Sequence, residues 1–184
     1  FPLPNGRDLG NGIAEYIIGT PAPRNQDTVT IRIDHQFSDS NSFFARYTFD
    51  ESDRQNVSTL ITDQELEYRY QYLTLSEKTI ISPNLINELR FGFTRSKANQ
   101  RPVESVPIDP ALRFSRQAEP LYGRLVAMGG LSSIGAFLQL LQFPENYQYS
   151  DDLSWTRGNH FLKMGVHFTR FHYNTSILVR AHGF

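Results

Sequence analysis

Thr28-Val-Thr-Ile-Arg-Ile-Asp-His-Gln-Phe-Ser-Asp-Ser-Asn-Ser-Phe-Phe-Ala-Arg-Tyr-Thr-Phe49 decides how the chain is read. Successive side chains of an extended strand point to opposite faces. Val29, Ile31, Ile33, His35 and Phe37 therefore share one face, and Thr28, Thr30, Arg32, Asp34 and Gln36 the other. Ser38 to Asn41 supplies turn chemistry, after which Phe43, Ala45, Tyr47 and Phe49 alternate with Phe44, Arg46, Thr48 and Asp50. The pattern predicts a hairpin with one apolar face. Its acid, histidine and serines invite a catalytic reading, but Asp34 and His35 are neighbours on a strand and point to opposite faces, so they make no dyad there.

Working outward, two more hairpins follow. Residues 51–66 are polar and read as an irregular loop. Glu67 to Lys78 alternates less cleanly, with Tyr68, Tyr70 and Tyr72 on one side, Leu73 and Leu75 on the other, and a bulge as one way to set the phase. Beyond the break at Ser82-Pro83-Asn84, Leu89, Phe91 and Phe93 lie opposite Glu88, Arg90, Gly92 and Thr94. The third hairpin puts Tyr147, Tyr149, Leu153 and Trp155 on one face, Asp151 excepted. It turns at Arg157-Gly158-Asn159 and continues with Leu162, Met164, Val166 and Phe168 opposite Lys163, Gly165, His167 and Thr169. Residues 1–25 read as an irregular N-terminal segment and 26–184 as a barrel segment of about six strands.

The hairpins turn tightly, but the stretches between them, residues 51–66 and 96–145, are far longer than the usual loop median of about 4–6 residues. Strands of roughly ten residues with one apolar face, short turns at one end and long loops at the other are the pattern of a transmembrane β-barrel. The fold class expected is all-β, an antiparallel up-and-down arc of such a barrel. A soluble barrel or sandwich binding a small ligand is the alternative.

Composition sets outer bounds. The 184 residues carry a formal net charge of -1, which removes a bulk electrostatic case for nucleic acid. With no cysteine there is no disulfide, no thiolate nucleophile and no Cys-ligated zinc. Aromatics make up 13% of the chain, mostly Phe and Tyr, which favours strands. The start, Phe1-Pro-Leu-Pro-Asn-Gly, has neither signal-peptide features nor an initiator Met, so a piece of a longer chain is expected. No run of eighteen apolar residues occurs. The nearest stretch, Leu121 to Phe143, is divided by Arg124, glycines and serines, and reads as a Gly-rich loop or strand before a short apolar segment, Ile134 to Leu141.

The chemical candidates are few. His35 near the turn reads as an interfacial residue. His167 and His172 are five apart and face opposite ways, against a shared metal. Asp50, Glu51 and Asp53 are able to hold calcium in an outer loop, although an Asx-turn or a solvated loop explains them as well. Gly129 to Gly135 lacks the Lys-Ser/Thr of a phosphate loop, and no hydrolase or metalloprotease motif occurs. Arg32, Asp34, Arg46, Asp50, Glu88 and Arg90 form a wet set, expected to make cross-strand ion pairs in a polar interior or simply to face water. Tyr47, Tyr149 and Trp155 suit an interfacial girdle, or the core of a soluble sheet.

Three blocks, residues 32–48 (RIDHQFSDSNSFFARYT), 82–95 (SPNLINELRFGFTR) and 151–165 (DDLSWTRGNHFLKMG), resemble TonB-dependent outer-membrane receptors. The resemblance is greatest to the acidobacterial subgroup with an N-terminal carboxypeptidase-regulatory-like domain. It implies a 22-stranded outer-membrane barrel around a plug, importing nutrients with energy passed on by TonB. It also implies location in the bacterial outer membrane, with lipid, the rest of the barrel, the plug and, through the plug, TonB as partners. No cofactor, metal or catalytic residue is implied, and a hydrolase is the least favoured reading. No plug, TonB box or regulatory domain is recognisable in these residues, so an arc of barrel wall is expected. On that arc Arg32, Asp34, Arg46, Asp50, Glu88 and Arg90 would face the lumen. Val29, Ile31, Ile33, Tyr47, Phe49, Leu89, Phe91, Phe93, Leu162, Met164, Val166 and Phe168 would face lipid.

Overall fold

The structure, a computed structural model, describes residues 3–19, 21–59, 62–105, 109, 111, 125–127, 129, 131–135 and 138–179. Two short strands, β1 (Asp8–Gly10) and β2 (Ile13–Ala14), pair antiparallel. Six long strands follow: β3 (Arg24–Ser38), β4 (Asn41–Thr59), β5 (Thr62–Ser82), β6 (Leu85–Glu104), β7 (Leu138–Arg157) and β8 (His160–Val179). They form one antiparallel sheet in chain order, so each strand pairs with its sequence neighbours and the topology is a plain meander. No helix among the described residues is long and apolar enough to cross a membrane. The all-β, up-and-down architecture stands as expected.

The strands are longer than expected. They run 15 to 21 residues, not ten, and residues 51–66, read as a loop, belong to β4 and β5 apart from a connection at 60–61. Polar residues sustain the strands there because they pair across the ladder: Arg69 with Glu51, Lys97 with Glu67, Arg101 with Glu65. The longer connection between hairpins shrinks to residues 105–137, since β7 begins at Leu138 and takes in the second half of the apolar segment expected near Ile134 to Leu141. Within that connection Leu125 and Ile134 form an isolated bridge, while residues 121–124, 128, 130, 136 and 137 of the Leu121 to Phe143 stretch lie outside the described residues. The N-terminal twenty-five residues, expected to be irregular, contain the small β1–β2 hairpin, and Arg24 already belongs to β3.

The bulge considered within Glu67 to Lys78 is absent. Pairing between β4 and β5 runs without interruption from Asn41↔Thr79 to Val57↔Asp63, and register shifts sit only next to the turns, such as between Ile80 and Ser82. Regular turn chemistry closes the last hairpin, where Gly158 adopts φ 59° between Arg157 and His160.

The sheet is a single layer. Among the described residues Leu66, 5% exposed, is the one large hydrophobic side chain that is buried. Ile33, Val166 and Phe168 remain about 60% exposed although they occupy the middles of their strands. A water-soluble sheet covers such a face with a second layer. Here the described residues supply none, and the apolar face is left open to its surroundings.

Candidate functional site

Residues directly opposite one another in a ladder share a face, so the register carries the alternation of one strand across all six. One row runs Ile31, Tyr47, Leu73, Phe93, Tyr147. The next runs Ile33, Ala45, Leu75, Phe91, Tyr149, Phe168. Val29 pairs with Phe49 above them, and Leu89, Asp151 and Val166 align below, followed by Leu153 with Met164 and Trp155 with Leu162. The three hairpins thus place their apolar residues on one common surface. Rings reinforce it across strands: Phe91 and Tyr149 centroids are 5.1 Å apart, Phe93 and Tyr147 5.0 Å, and Tyr149 and Phe168 6.3 Å. His35 lies on this surface with its ring edge-on to Phe37 at 4.5 Å. Two acids interrupt the surface in one row: Asp151, which accepts a hydrogen bond from the Asn87 side-chain amide, and Glu77, opposite Phe43 and Leu89.

This apolar band crosses the ladder obliquely. Its upper edge is Val29 on β3, whose row continues through Phe49, Gln71, Arg95 and Glu145 to His172 on β8. On β8 the highest apolar member is Phe168, four residues below His172. A drop of about 13 Å across five inter-strand steps of about 4.8 Å corresponds to strands inclined roughly 30° to the normal of the band. Strands closing into a membrane barrel tilt by about 35–45°, and a level slab of hydrocarbon meeting tilted strands leaves such a diagonal.

The opposite face is polar, and its pairing differs from expectation. Arg32 binds Asp34 two residues along its own strand, Nη2 to Oδ1 2.6 Å, and its guanidinium lies over the Phe44 ring at 4.8 Å. Arg90 likewise takes Glu88 on its own strand at 2.6 Å, with cross-strand Asp152 a distant second at 4.0 Å. Asp50 accepts hydrogen bonds across the ladder from the Thr28 hydroxyl and from Gln26 Nε2, so its partners are neutral. The expected cross-strand ion pairs therefore give way to pairs along the strand, because opposite positions carry unsuitable partners: Arg32 faces Arg46, and Asp34 faces Phe44. Arg46 has no acidic partner among the described residues.

Sequence reasoning missed one feature of this face. Tyr68, Tyr70 and Tyr72 stand on it opposite Ser52, Asp50 and Thr48, their rings stacked with centroids 6.4 Å apart at each step. The i, i+2, i+4 spacing signalled a ladder of rings; which face it occupied became visible only with the register. Lower on the same face Arg90, Asp152, Lys163 and His167 line a hollow of about 520 Å³.

Above the band the first surface turns from apolar to charged. Glu51 takes Arg69 at 2.5 Å, Glu65 takes Arg101 at 2.5 Å, Glu67 takes Lys97 at 3.2 Å, and Glu145 takes Arg95 at 3.3 Å, all across neighbouring strands. The Asn99 side-chain amide and the Lys97 ammonium hold the Glu67 carboxyl below the ordinary carboxylate range. The calcium possibility dissolves here. Asp50 points to the polar face while Glu51 and Asp53 point to the other, each with its own donor, and no metal-binding group of three is present among the described residues. His167 and His172 lie on opposite faces, in rows with Ser150 and Glu145.

Comparison with known proteins agrees with this geometry. The family described as outer membrane beta barrel domain matches residues 1–183. No curated protein and no solved structure matches the chain.

Proposed function

The chain belongs to the outer membrane beta barrel domain family, which places it in the bacterial outer membrane, and on that premise we propose that it forms part of the barrel wall of a TonB-dependent receptor for nutrient uptake. The apolar surface faces lipid and the surface of Arg32, Asp34, Arg46 and the tyrosine ladder faces the lumen. The wall itself does no covalent chemistry. Its partners are outer-membrane lipid, the remaining strands of the barrel, the plug and, through the plug, TonB.

The observation that carries the facing is the oblique apolar band on a one-layer sheet, which a bilayer covers and which water does not tolerate. The three resembling blocks at residues 32–48, 82–95 and 151–165 support the receptor type, since they fall on the three tight turns and the strands beside them.

Two experiments test the proposal. These 184 residues carry no cysteine, so once any cysteine elsewhere in the full-length protein is replaced by serine, single cysteines placed here are read without background. Phe93→Cys and Thr94→Cys, adjacent on β6, are placed one at a time in the full-length protein in its membrane. A lipid-soluble maleimide should label the first and a membrane-impermeant one added with channel access the second; the reverse pattern sinks the facing. Energised uptake of the receptor's nutrient should vanish in cells lacking TonB, and uptake unchanged there would sink the receptor type while leaving the barrel intact.

A further inference from the structure

On β5 and β6 the last apolar row of the band is Leu73 with Phe93, and directly above it stand Gln71 with Arg95 and then Arg69 with Lys97. Two-residue steps of about 6–7 Å along a tilted strand bring these rows roughly 5 and 10 Å above the hydrocarbon edge, the depth of lipid headgroups. Arg69, Gln71, Arg95 and Lys97, together with Phe143 of β7 and Ser96, line a small hollow of about 130 Å³ there. Water occupies about 30 Å³ per molecule in the liquid, so the hollow has room for a compact polar group.

We propose that this hollow binds the phosphate of an anionic outer-leaflet glycolipid, the outer leaflet because the long 105–137 connection joins β6 to β7 at this end and the long loops of such barrels are extracellular. Charge supports the choice. In the rows just above the band, β4 to β8 present Arg69, Arg95, Lys97 and Arg170 on this surface against Glu51 and Glu145, with Glu67 one row higher. Arg170 has a neutral partner, donating Nε–H to His172 Nε2 at 2.9 Å. The acids that pair with the other cations hold them in place without exhausting them. Arg69 spends Nε and Nη2 on Glu51, Arg95 spends Nε on Glu145, and Lys97 spends Nζ on Glu67. A guanidinium has five N–H donors and an ammonium three, so donors remain for phosphate oxygens. Gln71 donates to Tyr47 Oη at 2.7 Å, which ties the hollow to the aromatic girdle, and Phe143 gives it an apolar wall.

The inference rests on the apolar surface being the lipid surface, and the test separates the two. The full-length protein is delipidated in detergent and mixed with phosphatidylethanolamine vesicles containing either diphosphoryl lipid A or the same glycolipid stripped of phosphate, with and without millimolar inorganic phosphate. Glycolipid retained per barrel is read by native mass spectrometry, and folding by the shift of the unheated protein on an SDS gel. The native protein should retain the phosphorylated lipid, with inorganic phosphate competing weakly. The triple variant Arg69→Gln, Arg95→Gln, Lys97→Gln should retain about tenfold less or lower still. Arg95→Lys, which keeps the charge, should retain most of it. Equal retention by the triple variant, or of the stripped lipid, overturns the site. Displacement by inorganic phosphate overturns the lipid as its source. Phe93→Cys labelled from lipid with no phosphate preference would fault the headgroup site alone, whereas Phe93→Cys labelled from water would fault the facing beneath it.

Discussion

Strand β6 turns Leu89, Phe91 and Phe93 toward one surface, and toward that same surface a few residues later it turns Arg95, Lys97, Asn99 and Arg101. The hydrogen-bond ladder is continuous through both halves, from Leu85 opposite Ser82 to Glu104 opposite Thr62. What changes is the side-chain chemistry on a fixed backbone. On the proposed facing, side chains in the lower half match a surrounding of hydrocarbon; in the upper half they match one another across strands in water. A β-ladder satisfies its own backbone groups, so the strand need not end where the solvent changes. The boundary is written in side chains alone.

The largest test of this contrast is a charge placed in each half. Leu75→Arg, at mid-band between Ala45 and Phe91, should destabilise the barrel in vesicles by about 2–4 kcal/mol, the cost of a cation near the bilayer midplane. Asn99→Arg on the same surface above the band should change stability by about 0.5 kcal/mol at most. Denaturant unfolding in lipid vesicles reads both. Equal costs would mean that the two halves share one environment, and the contrast would collapse.

Next in size is the ring cluster that marks the band. Tyr149→Ala removes contacts with Phe91 at 5.1 Å and Phe168 at 6.3 Å and should cost about 1–3 kcal/mol by the same assay, at about 0.5–1.5 kcal/mol for each of the two aromatic pairs. Tyr149→Phe should recover nearly all of it. A loss in the Phe variant as great as in the Ala variant would show that the hydroxyl, and not the ring, carries the stability.

The lower half was legible in the sequence and the upper half was not, for one physical reason. Alternation identifies a strand when one set of residues is apolar, as Val29, Ile31 and Ile33 are. In Glu51 to Gln55 both sets are polar, so the period remains but the contrast that reveals it disappears, and in Glu65 to Arg69 only Leu66 and Tyr68 supply it. The strands there are held by pairs such as Glu65 with Arg101, whose partners are 36 residues apart and invisible to a local pattern. The two faces could be assigned from sequence within the first and third hairpins, but not along Glu67 to Lys78. Their merger into one diagonal band, the side taken by Tyr68, Tyr70 and Tyr72, and the along-strand pairing of Arg32 and Arg90 all needed the register.

The upper half offers its own test through salt. Glu51→Gln and Arg69→Gln, singly and together, should give a coupling of about 0.2–1 kcal/mol, the value of exposed ion pairs, and it should shrink as ionic strength rises past the point where the screening length falls below about 10 Å. The Tyr149→Ala loss should be indifferent to salt. A coupling that survives high salt would mean that the pair is shielded from water, and would move the charged collar into the membrane side of the comparison.

The smallest expected effect concerns acid. Glu67 accepts from Asn99 Nδ2 at 3.1 Å and from Lys97 Nζ at 3.2 Å, which lowers its carboxyl below the ordinary range. A carboxyl whose folded value lies below its unfolded one stabilises fully above the unfolded value, about 4.3 for glutamate, and loses that stabilisation as the pH falls through the folded value. The Glu67 side chain is 41% exposed, which limits the effect to a solvent-screened fraction of a surface pair. Amide exchange along β5 and β6 around Glu67 and Asn99 should therefore quicken slightly below the unfolded value in the native protein and stay flat in Glu67→Gln, while exchange at Leu75 and Phe91 ignores pH beyond its intrinsic dependence. If Glu67→Gln shows the same acid-induced quickening, the collar is held by its backbone ladder and not by its charges. The two halves of each strand would then differ only in the medium they face.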